Sequence, residues 1–290
     1  MEKIGIVVLN YIKYEITIRC VNSLIEQQNI DIRVVIVDNG SDNDSYDRLK
    51  STFRNVKSIE LVRSEKNLGF ARGMNLGINV LRKQHFDFIF LANSDLVFNG
   101  KEILYQMRYA YNGHENVGVI NPVVIDSGGV KAKGIDFSMR MTRLHMLKTF
   151  MPWIDNIRCK LGIKKNENVE LYPKEAVHES TPVCMLNDRY TVMGCGYMLT
   201  PAYFRFYDGM YPDTFLYNEE YATILMLKSA GLRTMNVSTA PVLHLHGLST
   251  PDKNTMSLDL QVKMKKSRES VTRLIYTPDN IIRGKYGRHK

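Results

Sequence analysis

The chain has 290 residues, 44% hydrophobic and 24% charged, which fits a folded protein of one large domain or one and a half and excludes a disordered chain. Its formal net charge of +9 points to an anionic partner, such as nucleotide phosphates, nucleic acid or an anionic membrane surface, with ordinary surface charge as the plain alternative. No apolar run approaches the roughly 20 residues that span a bilayer. Ile4-Gly5-Ile6-Val7-Val8-Leu9-Asn10 is apolar on both faces and predicts a strand covered on both sides. Within residues 14–28, Ile18, Val21, Leu24 and Ile25 share a face at helical spacing. Ile32 to Val37 predicts a second strand, ending in the turn formers Asp38-Asn39-Gly40-Ser41. A helix around 45–53 and a strand near 58–62 follow. This repetition predicts a parallel sheet with right-handed crossovers.

The turn after the first strand, Leu9-Asn10-Tyr11-Ile12-Lys13-Tyr14, lacks the glycines of a dinucleotide fingerprint and argues against a dehydrogenase. Asp38 stands at a strand end, where a carboxylate accepts from a base N–H or a ribose hydroxyl; a tight turn is the alternative. Asn67-Leu68-Gly69-Phe70-Ala71-Arg72-Gly73-Met74-Asn75 sets two glycines around an arginine at the head of a helix. Glycine admits a ligand close to the backbone, and a helix N-terminus favours an anion.

Phe88-Ile89-Phe90-Leu91-Ala92-Asn93-Ser94-Asp95 reads as a buried central strand that delivers a carboxylate to the sheet edge where ligands bind. A hard cation bridging phosphate oxygens needs a carboxylate in such a place, and a cap on the next element is the alternative. Residues 101–112 predict a helix. Val117 to Val124 predicts a strand that Pro122 places near an edge or an end. Residues 130–180 interleave Arg140, Arg143, Lys148 and Arg158 with Met139, Leu147, Phe150 and Trp153. That pattern fits a membrane-surface contact or an insertion packed on the domain. Glu219-Glu220 opens a helix that Gly231 ends. Alternation puts His244 and His246 on one face, followed by a helix over 257–276 and a basic tail from Arg283, expected to be mobile. The four cysteines, Cys20, Cys159, Cys184 and Cys195, show no metal-ligand spacing and predict reduced thiols. No signal-peptide pattern follows Met1, so a cytoplasmic protein is expected.

Asn10-Tyr11, the Asp38-Asn39-Gly40-Ser41 turn, the Asn67–Asn75 stretch and Leu91-Ala92-Asn93-Ser94-Asp95 occur in the order and at the spacing found in glycosyltransferase family 2. The chain resembles most its bacterial rhamnosyltransferase-like branch, over roughly residues 3–126 and 190–276. The resemblance implies an α/β GT-A fold: a nucleotide-binding, mostly parallel central sheet flanked by helices, with an acceptor-side subregion and C-terminal helices. The glycosyltransferase domain is expected over 1–256, with 130–180 as a variable basic insertion, and a C-terminal helix and basic tail over 257–290.

The implied activity is inverting, metal-dependent transfer of a sugar from a nucleotide-diphosphate donor, UDP- or dTDP-linked, to a hydroxyl of a glycan or lipid-linked acceptor. The implied setting is bacterial surface polysaccharide biosynthesis at the inner face of the cell membrane, with possible peripheral membrane contact and no nucleic acid partner. By the same resemblance, Asn10, Asp38, Asn67, Gly69, Arg72, Asn75, Asn93, Ser94, Gly194 and Cys195 bind the donor. Asp95 and His246 hold Mn2+ or Mg2+, with His244 a structural histidine. Glu220 is the catalytic base, Glu219 orients hydroxyls, and Cys195 makes space for the sugar.

Two departures stand out. Asn93-Ser94-Asp95 keeps one carboxylate of the usual acidic triplet, and Ala222 and Met226 replace an acid and an arginine common after the pair. A catalytically inactive nucleotide-sugar-binding protein of the same fold is therefore the alternative. A nucleotidyltransferase is disfavoured, because the glycine- and arginine-rich phosphate loop of that class is missing after the first strand.

Overall fold

A computed structural model describes residues 2–137, 184–186, 190–245 and 257–288. His246 and nearly all of the basic 130–180 segment lie outside the described residues. The N-terminal half alternates β1 (Lys3–Asn10), α1 (Tyr14–Ile25), β2 (Asp31–Asp38), α2 (Ser45–Phe53), β3 (Ile59–Arg63), α3 (Phe70–Lys83) and β4 (Ile89–Asn93). Next come β5 (Leu96–Phe98), α4 (Ile103–Ala110), β6 (Val117–Asn121), β7 (Val124–Asp126) and β8 (Ile135–Phe137). The remainder comprises β9 (Cys184–Leu186), β10 (Tyr190–Val192), β11 (Gly196–Leu199), α5 (Pro201–Phe204), α6 (Glu219–Ser229), β12 (Arg233–Val237), β13 (Val242–His244), α7 (Leu258–Ile275) and α8 (Asp279–Tyr286).

Eight strands form the central sheet in the order β3-β2-β1-β4-β11-β6-β12-β9. The β3-β2-β1-β4 portion is parallel, as strand–helix–strand repetition requires. β11 enters antiparallel between β4 and β6. Strand residues alternate between two cores. Ile4, Ile6 and Val8 pack with Cys20, Leu24 and Leu49 from α1 and α2. Val7, Val35 and Val37 pack with Met74, Ile78 and Leu81 of α3. Each fully buried aliphatic side chain contributes about 1.5–3 kcal/mol relative to exposure, so both faces fix which way the strand ends point. Gly77 allows α3 to lie close: a Cβ there would stand 2.5 Å from Val7 Cγ1.

The register aligns the C-terminal strand ends. Asn10 pairs with Asp38, and Leu9 with Asn93. A second sheet, β5-β13-β7, places His244 opposite Leu96 and Asp126.

Two sequence expectations change. Val117 to Val124 is not one strand: Pro122 lies in a break between β6, central in the large sheet, and β7, in the small one. Proline has no N–H to give a ladder, so the chain switches sheets there. The basic tail is also ordered through Arg288. Ile282 of α8 is buried, Tyr286 packs edge-on against Tyr211 with ring centroids 4.8 Å apart, and the Arg288 N–H donates to Phe206 O at 2.7 Å. Among the described residues, no helix is long and apolar enough to cross a membrane.

Candidate active site

The ends of β1, β2 and β4 bring Asn10, Asp38 and Asn93 to one sheet edge. Thr17 Oγ1 donates to Asn10 Oδ1 at 2.7 Å, and Asn10 Nδ2 reaches Ser41 Oγ at 3.4 Å. The Ser41 N–H donates to Asp38 Oδ1 at 3.0 Å. These bonds fix Asp38 so that its other oxygen is buried without a hydrogen-bond partner among the described residues, as is Asn93 Oδ1. Leaving such atoms unpaired costs about 1–3 kcal/mol each, which a ligand donating to them would recover. Ser94 is buried beside them.

Asn67 and Asn39, the latter not singled out from sequence, interlock the two neighbouring loops. Asn39 Nδ2 donates to Asn67 Oδ1 and to Gly69 O, each at 3.1 Å, and Asn39 Oδ1 accepts from the Leu68 N–H at 3.1 Å. Asn67 Oδ1 also accepts from the Gly69 N–H at 2.9 Å. Gly69 has φ +84° and ψ 175°, a conformation essentially confined to glycine.

Gly69, Arg72 and Asn75 engage the segment that leads to the acid pair. Arg72 Nε donates to Pro212 O at 2.9 Å, and its guanidinium lies 3.5 Å from Asp213. Asn75 spends both amide atoms on the Met210 backbone. Polar residues at the head of α3 look like ligand binders in sequence, but their direction depends on what packs against the helix.

Asp95 is buried, and its backbone carbonyl accepts from the Leu245 N–H at 3.0 Å. Asp95 Oδ1 lies 3.3 Å from His244 Nε2. The structure thus places against Asp95 the histidine that sequence alone marks as structural, because β13 pairs with the strand that follows Asp95. Among the described residues there is no group of three or more His, Cys, Asp and Glu side chains able to hold a metal. One carboxylate beside one imidazole fits a divalent ion that takes its other ligands from phosphates and water, not an all-protein cage.

Opposite Asp95 lies the turn before β11. The Asn93 N–H donates to Cys195 O at 2.9 Å. Gly194 abuts the acid pair so closely that a Cβ there would stand 1.9 Å from Glu220 Oε1. The Cys195 thiol is pushed up to about 12 by burial, then by the nearby charges of Asp95 and Glu220. It lies within electrostatic reach of both acids and is not a thiolate nucleophile at neutral pH.

The acid pair opens α6 after two left-handed non-glycine residues, Tyr217 at φ 64° and Asn218 at φ 70°. Glu219 is 7% exposed. Burial, and then the adjacent Glu220, raise its carboxyl to about 8, with the Thr214 hydroxyl acting in the opposite sense. Burial also raises Glu220 above the ordinary carboxyl range, while the helix N-terminus favours the charged form of both. Ala222 and Met226, where an acid and an arginine were missing, are buried in the core, with Met226 Sδ 3.6 Å from Tyr203 Oη.

A model of Glycosyl transferase family 2 matches residues 4–168, more than half of the chain, and ends before Glu219 and Glu220. No curated protein sequence matches. Residues 1–349 of S. aureus TarS in complex with UDP form a similar solved structure, with 14% identity and a TM-score of 0.57 over 95% of this chain and 64% of that one. A second structure of TarS 1–349 gives 13% identity and a TM-score of 0.52 over 84% of this chain and 60% of that one. The present chain therefore spans under two thirds of the TarS structures it resembles. Their likeness shows the shared GT-A architecture, and with the sequence match over β1 to β8 the chain belongs to glycosyl transferase family 2.

Proposed function

We propose that the chain is an inverting glycosyltransferase that moves a sugar from a nucleotide-diphosphate donor to a hydroxyl of a glycan or lipid-linked acceptor. The observation that carries this reading is the Gly194-Cys195 turn, which joins the two halves of the site. Its carbonyl receives Asn93 at the sheet edge, and its glycine lies against Glu220. In this reading Asp38 Oδ2 accepts from the base or ribose, and Asn10 keeps the Asp38–Ser41 turn in place. Glu220 takes the proton of the acceptor hydroxyl as its oxygen bonds to the anomeric carbon. The bond from that carbon to the diphosphate oxygen breaks on the opposite face, so the configuration inverts without a covalent enzyme intermediate. A carboxylate with a raised pKa is a stronger base than a free one and suits this role near neutral pH. Glu219, protonated in its buried site, is able to donate to a sugar hydroxyl.

Asp95 and His244 would hold a divalent cation, Mn2+ or Mg2+, and such an ion offsets diphosphate charge as the nucleotide departs. His246 remains a proposed additional ligand. A UDP-linked donor is favoured by the UDP complex of one TarS structure, and a dTDP-linked donor enters by the family resemblance alone. The rhamnosyltransferase-like branch and a place in bacterial surface polysaccharide assembly, on the cytoplasmic face of the membrane, complete the proposal.

The test is a thermal-shift screen of UDP-, dTDP- and GDP-sugars with Mn2+ or Mg2+, followed by donor hydrolysis for wild type and Glu220→Gln. Metal-dependent binding with hydrolysis lost in Glu220→Gln supports the mechanism. Binding without hydrolysis in wild type identifies a nucleotide-sugar-binding protein, and no binding at all overturns both.

A further inference from the structure

Residues 209–218 cross from α5 to the acid pair as a strap of bends and a turn, without helix or strand over its length. Six of its ten residues, Met210 to Asp213, Phe215 and Leu216, are bonded to α3 or α7. At its start, Asn75 of α3 accepts from the Met210 N–H at 2.7 Å and donates to Met210 O at 2.9 Å, as a neighbouring strand would. Arg72 of α3 donates to Pro212 O at 2.9 Å. Tyr211 Oη lies 2.7 Å from Ser270 Oγ of α7. At the far end the Phe70 N–H donates to Phe215 O at 2.6 Å. Ser267 of α7 is buried, and its Oγ accepts from the Phe215 N–H at 2.7 Å and the Leu216 N–H at 3.5 Å. The Ser267 hydroxyl proton goes to Lys263 O at 3.1 Å, which orients the lone pairs toward the strap. Thr214, between these anchors, is buried and acts electrostatically on the Glu219 carboxyl.

Past the last anchor the chain runs through Tyr217 and Asn218, both left-handed, straight into Glu219. Such residues persist only where the surroundings over-determine them. The anchors on Phe215 and Leu216 supply that constraint on one side, and the start of α6 supplies it on the other.

We infer that Ser267 and Asn75 are positioning residues for the acid pair, setting the places of Glu219 and Glu220 through the strap without touching substrate. The inference rests on the reading of that pair as the working acids. It gives a function to α7, which the donor-binding reading leaves idle, and it reassigns Asn75 of α3 from nucleotide contact to the strap.

The test compares wild type, Ser267→Ala, Ser267→Thr, Asn75→Ala and Glu220→Gln. One readout is kcat and KM for whichever nucleotide sugar the donor screen yields. The other is the titration of the Glu219 carboxyl followed by NMR, which needs no substrate. In Ser267→Ala, kcat is expected to fall about 10- to 100-fold with donor KM within about twofold, as for a displaced catalytic group. The Glu219 midpoint should drop toward the ordinary carboxyl range as water reaches it. Ser267→Thr, which keeps the acceptor oxygen, should restore both. Asn75→Ala, anchoring the other end, gives the same readouts if Ser267→Ala does not fold. Unchanged kcat and an unchanged Glu219 midpoint in folded Ser267→Ala or Asn75→Ala overturn the inference. If Glu220→Gln keeps full activity, or no donor is found, the catalytic reading fails instead, and the NMR midpoint alone decides whether the strap positions the pair.

Discussion

Replacing Gly194 with alanine adds a single methyl group, and the structure places it against the proposed base. The new Cβ would stand 1.9 Å from Glu220 Oε1, 2.8 Å from Cδ and 3.1 Å from Cγ, where ordinary contact begins at 3.4 Å. The carboxylate must therefore retreat by about 1.5 Å, the difference between 3.4 and 1.9. A displacement of about 1 Å at a reacting group costs on the order of 100-fold in rate, or about 2.7 kcal/mol in transition-state free energy. The obstacle is the end of a side chain and not backbone, so the fold should lose only about 1 kcal/mol, at the lower end of overpacking penalties. The assay is donor hydrolysis or transfer with kcat and KM determined separately, beside a thermal melt. A kcat reduced about 100-fold at nearly constant melting temperature is expected. Glu220→Asp, one methylene shorter, should be less harmful in the Gly194→Ala background than in wild type, giving a favourable coupling in the double-mutant cycle. A folded Gly194→Ala protein with kcat within about threefold of wild type would refute the placement of Glu220 at the reacting hydroxyl.

Glu219 makes stability pH-dependent in a defined direction. Its carboxyl rises from 4.5 to about 8 on folding, so between those values the folded chain holds a proton that the unfolded chain has released, and its contribution falls as pH rises. Glu219→Gln should match wild type near pH 4.5 and be more stable above pH 8 in denaturant melts across that range; parallel curves would count against the buried, protonated acid. Gly69→Ala should destabilise by about 3 kcal/mol, combining left-handed strain with a Cβ 2.6 Å from Phe215 O; equilibrium unfolding measures it. Removing divalent ions with EDTA should abolish the UDP-dependent rise in melting temperature while leaving the free protein's melt unchanged. Asp95→Asn should lose the same rise with metal present, and retention in both cases would exclude joint binding of metal and nucleotide at Asp95.

The strands that are buried on both faces were readable because nothing but a central strand accounts for Val-Val-Ile-Val or Ile-Phe-Leu-Ala between turn formers. Their ends place Asp38, Asn93 and Asp95 at one edge without any tertiary information. The place of β11 was not readable: antiparallel entry between β4 and β6 depends on partners about a hundred residues away. The contact of His244 with Asp95 was not readable for a related reason, since it is set by β13 pairing with β5. The bonds of Arg72 and Asn75 to the Pro212 and Met210 backbone were not readable, because polarity alone does not reveal which loop packs against a helix. The tail looked mobile because Ile282 and Tyr286 are sparse among cations; its docking face is made by Tyr211 and the Phe206 backbone, which only the fold brings to it.

The antiparallel insertion of β11 also bears on how the protein comes off the ribosome. The parallel unit β1 to β4 can fold as soon as Asn93 has emerged, but the far edge of β4 is paired only when Gly196 arrives. That interval is about a hundred residues, or roughly 5–20 s of synthesis. During it Phe90 and Leu91 sit on an open edge, the kind of surface that recruits chaperones or a second nascent chain. The same order makes the sheet edge that carries Asp38 and Asn93 complete before the acid pair exists, so a stalled chain would hold the proposed donor half of the site without the group proposed to use it.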